Sequence, residues 1–255
     1  MVRAKPLSLL TDREEPPPEE EPQPQRLLTY HIADGLLTSE HFARDQGNAL
    51  YYYRKGVYLP GGEDHLRACV TRYLRDEGRS AEWTAHKVFE VETYIRDDAP
   101  RMLERPPDHL LNLANGLLDL KTGNLAKHDP SLLTAVQLPV HYNPAARCPA
   151  WERFSEQVLP FDCRALLFEL CAWLMCPNRN IQKAILFLGD GGNGKSTALA
   201  AIVAFLGKHN CTGLSLHRLE RDRFSLARLV GKLANICADL PTSHLESTGA
   251  FKAIT

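Results

Sequence analysis

The sequence predicts a mixed α/β fold: an α-rich N-terminal domain with β-hairpins, followed by a unit built around a glycine-rich turn. Three observations predict it. Helical apolar periodicity alternates with short tyrosine- and leucine-rich runs in the first half of the chain. A glycine-rich turn then joins an apolar run to an Ala/Leu-rich helical stretch. Further on, a second apolar run ends in an acid.

Composition indicates an ordinary globular protein. The 255 residues are 44% hydrophobic and 24% charged, and the formal net charge is -1, so no global field attracts nucleic acid or a membrane. No apolar run approaches the ~20 residues of a membrane span, and the N-terminus lacks the apolar core of a secretory signal. The seven cysteines are scattered without metal-binding spacing. We therefore expect a reduced, cytoplasmic protein without membrane partners.

The N-terminal part of the chain divides into a tail and a domain. Residues 1–26, rich in proline and glutamate, cannot bury apolar surface and are expected to be a disordered tail. A helical and hairpin-containing domain is expected over residues 27–150. In it, two short tyrosine-containing runs, Leu50–Tyr53 and Val57–Leu59, joined by a turn at Arg54–Gly56 predict a hairpin over residues 50–59.

Two amphipathic helices are predicted next, over residues 63–77 and 81–97. Gly78 stands where a helix commonly ends in a left-handed residue. The residues expected to face the interior are Leu66, Val70, Tyr73, Leu74, Val88, Val91 and Ile95.

A second hairpin is predicted over residues 117–126, and the proline-punctuated residues 129–150 are expected to form a crossover. A helix pair over 151–158 and 163–175 would open the C-terminal domain, 151–255. The side chains of this pair that we expect to be buried are Leu166, Leu167, Leu170, Trp173 and Leu174.

The glycine-rich turn carries the complete pattern G-x-x-x-x-G-K-[ST] of phosphate-binding loops. It lies between a strand predicted over Ala184–Leu188 and a helix predicted over Thr197–Leu206. Exposed backbone N–H groups and the positive end of the following helix bind phosphates in such turns. The predicted nucleoside triphosphate site consists of Gly189, Asp190, Gly191, Gly192, Asn193, Gly194, Lys195, Ser196 and Thr197. Lys195 would reach the β- and γ-phosphates, and Ser196 would bind Mg²⁺.

The same glycines also satisfy G-x-G-x-x-G, the dinucleotide fingerprint. That interpretation requires an acid about 20 residues further on, at the end of the next strand. Residues 209–215 contain none, and Glu220 lies too far along. Lys195 and Ser196 would also have no role, so a triphosphate site is favoured.

A second nucleotide-site element is predicted at Leu233–Asp239, an apolar run that ends in an acid. An acid placed one helix and one loop beyond a phosphate loop orients Mg²⁺ or water in related sites. Asp239 is therefore predicted to be a metal-binding and catalytic residue, together with Lys195.

From about Leu111 onward the chain resembles the helicase half of phage and plasmid primase–helicases, which belong to superfamily 3. Residues 27–110 more loosely resemble the helical domain that precedes that half. The strings that carry the resemblance are Asn115–Gly123, Cys148–Trp151, Gln182–Lys183, Gly189–Thr197, Gly231–Ile236 and Phe251–Thr255.

The resemblance implies an AAA+-like P-loop ATPase core, with ATP and Mg²⁺ as cofactors and DNA as partner. It implies a ring, usually a hexamer, that couples ATP hydrolysis to unwinding. It places Lys195 in the phosphate loop and Asp239 in the second element. Members often carry two acids there, whereas Ala238 and Leu240 flank Asp239 here, so the catalytic base is left unassigned.

The resemblance also predicts an incomplete core. The chain stops at Thr255, before the strands, DNA-contacting hairpin, sensor and arginine finger of the family, and no primase domain precedes residue 27. We expect weak nucleotide binding and poor hydrolysis by this chain alone, because an arginine finger contributes on the order of 10³–10⁵ in rate. Two alternatives stay open: a P-loop NTPase that does not act on DNA, and a non-enzymatic fragment that co-assembles with an intact helicase.

Two basic regions are candidate DNA contacts. Arg54 and Lys55 lie at the first hairpin tip beside Tyr51–Tyr53. Stacking of these tyrosines on bases is one interpretation, and their packing within the protein is the favoured one. The second region follows the loop helix, and its interleaved acids make a solvated helix face an equal alternative. Its basic residues are Lys208, His209, His217, Arg218, Arg221, Arg223, Arg228 and Lys232.

Overall fold

The computed structural model describes residues 24–104, 106–176, 181–238 and 252, and its mixture of helices and small sheets confirms the predicted α/β class. The α-helices are α1 (Pro24–Leu37), α2 (Gly62–Asp76), α3 (Ala85–Asp98), α4 (Pro149–Val158), α5 (Arg164–Met175), α6 (Lys195–Leu206) and α7 (Leu216–Arg221). The strands are β1 (Phe42–Arg44), β2 (Leu50–Arg54), β3 (Val57–Pro60), β4 (Leu110–Leu113), β5 (Gly116–Asp119), β6 (Leu125–Ala126), β7 (Cys211–Thr212) and β8 (Ala234–Asn235). Most of the predicted tail lies outside the described residues.

The first sheet contains the predicted hairpin with one strand added. β2 pairs antiparallel with β3 and, on its other edge, with β1. Lys55 and Gly56 form the turn with φ of 50° and 90°, and two left-handed residues in a row suit the twist of a two-residue hairpin. The hairpin prediction is confirmed.

The two predicted helices are confirmed, with one shifted start. Beyond α2, the N–H groups of Gly78 and Arg79 donate to the carbonyls of Arg75 (3.0 Å) and Leu74 (2.7 Å), which is a Schellman ending that uses the left-handed Gly78. α3 begins four residues later than predicted because the Thr84 side chain accepts the Lys87 N–H and caps it there.

Helices α1–α3 and the first sheet enclose one apolar core. α1 contacts both α2 and α3, and α2 lies on β2. The residues buried in this core are Leu28, Ile32, Ala33, Leu36, Phe42, Leu50, Leu66, Cys69, Val70, Leu74, Val88, Val91, Ile95 and Ala99.

A second core joins residues from both sides of position 150. The predicted second hairpin forms as β5 and β6, and β4 adds a strand that the sequence did not reveal. Residues 129–148 contain no helix or strand, yet Leu138 is 2% exposed and its N–H donates to Asn112 O. The residues buried in this core are Leu111, Leu113, Leu118, Leu138, Leu170, Leu174, Ile202, Leu206, Leu233 and Ala234. The predicted domain boundary between residues 150 and 151 stays a prediction.

The C-terminal elements form a short parallel pair. β7 and β8 pair through Cys211 with Ala234 and Thr212 with Asn235, and α7 lies between them in sequence. Such an arrangement fits an α/β protein, while the incomplete P-loop ATPase core expected from the sequence stays a prediction.

Two expectations for this half of the chain were wrong. Ala184–Leu188 forms no strand, because a strand needs a hydrogen-bonded neighbour and none of the described segments pairs with it. Leu166 is 52% exposed instead of buried, because α5 turns the Leu167, Leu170 and Leu174 face toward the core.

Candidate phosphate-binding loop

Helix α6 positions the glycine-rich loop. Its Ala/Leu-rich sequence favours a helix, and Ala198, Ile202 and Leu206 recur every four residues on its buried face. At the C-terminal end the Asn210 side chain donates to Leu206 O at 2.7 Å. The helix is therefore anchored along one face and at its far end, and its N-terminus presents the loop.

Three loop glycines adopt backbone conformations that other residues rarely take. Gly189, Gly192 and Gly194 have φ of 149°, 74° and 85°. A Cβ on Gly194 would lie only 2.7 Å from Val158 Cγ1 of α4. The backbone of the turn thus favours glycine at all three positions, and the close approach of α4 requires it at Gly194 as well.

The Lys195 ammonium lies inside the loop. Nζ donates to the carbonyls of Gly189 and Asp190 and to Asn193 Oδ1, each at 2.7 Å. An ammonium has three donors, so the loop oxygens satisfy all of them. A phosphate entering the loop would exchange one or more of these neutral acceptors for an anionic one, which strengthens the hydrogen bond.

The first turn of α6 is open to an anion. Ala198 N–H donates to Gly194 O, and the N–H groups before it have no intrahelical acceptor. A Cβ at Gly191 or Gly192 would meet no atom within 4 Å, and Ser196 and Thr197 are exposed. Free N–H groups, a positive helix end, one ammonium and one hydroxyl suit a triphosphate with Mg²⁺.

The predicted acid Asp239 lies outside the described residues, although the strand that leads to it is described. The Asn235 side chain of β8 binds residues at and just after β7. Its Oδ1 accepts hydrogen bonds from Thr212 Oγ1 (2.9 Å) and the Leu214 N–H (2.8 Å). Its Nδ2 donates to Leu214 O at 2.9 Å. β7 and β8 are thereby held in register. That Asp239 reaches the loop stays a prediction.

An open groove of about 630 Å³ lies beside β7 and β8. Lys208, Arg228 and Lys232 line it, together with the apolar side chains of Val203 and Ile236, and no loop residue does. The structure therefore brings together three residues of the predicted basic region at a place distinct from the phosphate loop. Its positive lining suits an anion, and binding of DNA there stays a prediction.

The tyrosines of the first hairpin pack within the protein. Tyr52 stacks on His65 with ring centroids 4.0 Å apart, and Tyr53 packs on Tyr58 at 5.2 Å. The Tyr58 hydroxyl donates to Pro130 O at 2.9 Å, and burial, with smaller effects from nearby groups, raises its pKa to about 12. These contacts agree with the packing interpretation.

The hairpin turn is also tied to the second core by side-chain amides. Asn112 donates to Gly56 O (2.8 Å), and Gln137 donates to Lys55 O (2.9 Å). Asn210 in turn donates to Gln137 O at 2.8 Å. We call Asn112, Gln137 and Asn210 the amide bridge; it connects the hairpin turn to the end of α6.

The sequence did not predict one side-chain cluster beside the first core. Its members are Glu40, His65, Cys69 and Arg72. Burial alone would raise the pKa of Glu40, but the hydrogen bond and charge of His65, with Cys69 and Arg72, hold that pKa below its usual value. Burial and the nearby Glu40 charge raise the pKa of Cys69 to about 11, against the effect of Arg72. The helical spacing of His65 and Cys69 was visible in the sequence, whereas nothing local predicted that Glu40 would join them.

Two family models match the chain. Residues 36–160 match the family described as D5 N terminal like, a domain found in phage and plasmid primase–helicase proteins. Residues 187–255 match a family of unknown function, DUF5906. A comparison with the curated proteins finds no match.

The first match covers just under half of the chain. It supports the predicted relation to phage and plasmid primase–helicases and suggests a role in replication of that kind. Membership of superfamily 3 stays a prediction. Within the described part of the chain, every helix is too short or too polar to cross a membrane.

Proposed function

We propose that this chain acts in phage or plasmid DNA replication as an ATP-dependent helicase of the superfamily 3 type. One observation carries the proposal: the loop Gly189–Ser196 surrounds the Lys195 ammonium at the N-terminus of α6. The match of residues 36–160 to a domain of primase–helicases supports the replication context.

In this proposal each loop group has a task. The N–H groups of the loop and of the first turn of α6 bind phosphate oxygens, and Lys195 neutralises the β- and γ-phosphates. Ser196 and Asp239 hold Mg²⁺. Hydrolysis supplies the free energy, and a hexameric ring, in which a neighbouring subunit contributes an arginine, moves along DNA.

Nucleotide binding is tested first with Lys195→Ala. We expect the affinity for Mg-ATP, measured by isothermal titration calorimetry, to fall at least tenfold, or about 1.4 kcal/mol, because Lys195 is the one lysine in the loop sequence Gly189–Ser196. Lys208→Ala is the matched control, since Lys208 lines the groove and not the loop. Equal affinity in the parent and in Lys195→Ala, with circular dichroism unchanged, would refute the proposed site.

Action on DNA is tested by the dependence of ATP hydrolysis on single-stranded DNA. The helicase proposal expects DNA to raise the turnover, whereas DNA-independent turnover or phosphate transfer to a small molecule favours the non-DNA NTPase alternative.

One observation favours a second function, a non-enzymatic chain that co-assembles with an intact helicase. Three apolar residues before the loop are exposed, Ile185 at 45%, Leu186 at 62% and Leu188 at 86%, while Phe187 packs against the second core. Contiguous exposed apolar side chains mark interaction surfaces, so this segment could join another subunit without turnover.

A further inference from the structure

Three potential metal ligands converge in the first core, apart from the phosphate loop. Glu40, His65 and Cys69 each offer one ligand atom, and these atoms lie within 4.8 Å of one another. His65 Nε2 is 2.9 Å from Glu40 Oε2 and 3.5 Å from Cys69 Sγ. The Sγ atom is 3.6 Å from Glu40 Oε1.

The Sγ–Nε2 and Nε2–Oε2 separations can be compared with the edges of a zinc tetrahedron. Bond lengths of about 2.3 Å to sulfur, 2.05 Å to nitrogen and 2.0 Å to oxygen give ligand separations of about 3.6 Å (S to N), 3.3 Å (N to O) and 3.5 Å (S to O). The Sγ–Nε2 separation matches this geometry, and the Nε2–Oε2 pair must widen by a few tenths of an ångström for Oε2 to be the carboxylate ligand. The 3.6 Å contact of Sγ is to the other oxygen, Oε1. We propose that Glu40, His65 and Cys69 bind Zn²⁺, with water as the fourth ligand.

The ligands are preorganised by the fold. His65 and Cys69 lie one turn apart on the same face of α2. The Tyr52 ring stacks on the imidazole, which fixes its plane. Glu40 is held from the other side, since its N–H donates to Leu36 O at 2.8 Å at the end of α1. Zinc would therefore link the end of α1 to α2.

Arg72 is the group that competes with a cation here. Its Nη2 donates to Glu40 Oε1 at 3.2 Å and to Cys69 Sγ at 3.4 Å. The Arg72 side chain is 61% exposed, so it can turn into solvent at little cost, or keep its hydrogen bond to the oxygen of Glu40 that faces away from the metal. Zinc bound to one carboxylate and one thiolate is neutral overall, which limits the repulsion from Arg72.

The donor set selects zinc over the magnesium of the phosphate loop. Mg²⁺ takes oxygen ligands in octahedral geometry, whereas a thiolate and an imidazole suit Zn²⁺. Cys69 is 1% exposed, and on binding its sulfhydryl proton passes to solvent as the S–Zn bond forms. Glu40 and His65 stay partly accessible, which leaves a path for the ion and the water ligand.

The test titrates the full chain, freed of metal with a chelator, with Co²⁺ and then Zn²⁺. One equivalent of Co²⁺ is expected to give the visible ligand-field bands of a tetrahedral site and a near-ultraviolet sulfur-to-metal band, and Zn²⁺ is expected to displace it. Cys69→Ser should remove the sulfur band, and His65→Ala should weaken binding at least tenfold. Zinc should raise the melting temperature of the parent chain but not that of either variant.

Three further variants keep the test decisive if Cys69→Ser folds poorly. Cys148→Ser, which removes an exposed cysteine, should leave the spectrum unchanged, and Glu40→Gln should weaken binding. Arg72→Gln should bind zinc as tightly as the parent or more tightly. The proposal is overturned if the parent shows no one-to-one binding at micromolar metal, or if the sulfur band persists in Cys69→Ser.

Discussion

At the residue scale, Gly194 satisfies two constraints at one position. Its φ of 85° lies in the left-handed region, and α4 packs against the place where a side chain would stand. We expect Gly194→Ala to lower the free energy of unfolding by about 1–2 kcal/mol, through backbone strain and through displacement of Val158. Urea denaturation followed by circular dichroism measures this loss.

Gly191 provides the matched control in the same loop. It is not left-handed, and a Cβ there would meet no neighbouring atom. Gly191→Ala is expected to change stability by less than about 0.5 kcal/mol. Similar losses in the two variants would show that the conformation of Gly194 is not the cause.

Residue identities in the loop could be predicted because the pattern is local. The turn, its glycines and Lys195 occupy consecutive positions, so spacing alone carried the information. The zinc cluster could not be found in this way, since Glu40 reaches His65 only after α1 and α2 have packed together. Asp239 remains a prediction from sequence.

At the scale of elements, Glu63 connects one strand and two helices. From the first turn of α2, its Oε1 accepts the Leu50 N–H of β2 at 2.8 Å and an Arg96 N–H of α3 at 3.3 Å. Burial opposes ionisation, but the hydrogen bond from Leu50 and the Arg96 charge outweigh it and lower the pKa of Glu63. Ionised Glu63 therefore stabilises the joint between these elements.

We expect Glu63→Gln to destabilise the chain by about 1 kcal/mol at pH 7, a value reduced for partial solvent screening. A carboxyl whose pKa is lowered on folding stabilises above its unfolded value, near 4.5, and loses that contribution as pH falls through the folded value. The difference between parent and variant should thus shrink toward pH 3. Urea denaturation at several pH values measures it.

Asp64→Asn is the control for the Glu63 prediction, since it removes the same charge from the same turn of α2. It should leave the acid sensitivity of the parent unchanged. A gap between parent and Glu63→Gln that stays constant from pH 7 to pH 3 would contradict the assigned role.

Helices were predicted more successfully than strands, and the reason is where their hydrogen bonds lie. A helix such as α2 satisfies its backbone within the segment, so periodicity and Gly78 were enough to bound it. Ala184–Leu188 has the composition of a strand, but a strand depends on a partner elsewhere in the chain. For the same reason the sequence did not predict β4, whose backbone hydrogen bonds are made to β5.

At the scale of the whole molecule, the described structure leaves apolar side chains exposed in the segment before the loop, at Leu186 and Leu188. We expect the parent chain to self-associate as its concentration rises, because association buries Leu186 and Leu188. The double variant Leu186→Gln, Leu188→Gln should stay monomeric under those conditions. Sedimentation velocity at several concentrations measures the difference.

Leu166→Gln supplies the comparison for that experiment, since Leu166 is also exposed but lies on α5. It should associate like the parent. If parent and double variant sediment alike at every concentration, the segment is not an interaction surface and the co-assembly alternative loses its support.

The composition of the second core sets a limit on how the protein can be divided for crystallography or NMR. Leu111, Leu113, Leu118 and Leu138 pack under residues of α5 and α6. A recombinant piece that starts at Trp151 would leave these leucines behind and expose the underside of both helices to water. A cloning boundary upstream of Leu110 retains them, and with them the packing that supports α6 and the candidate phosphate-binding loop.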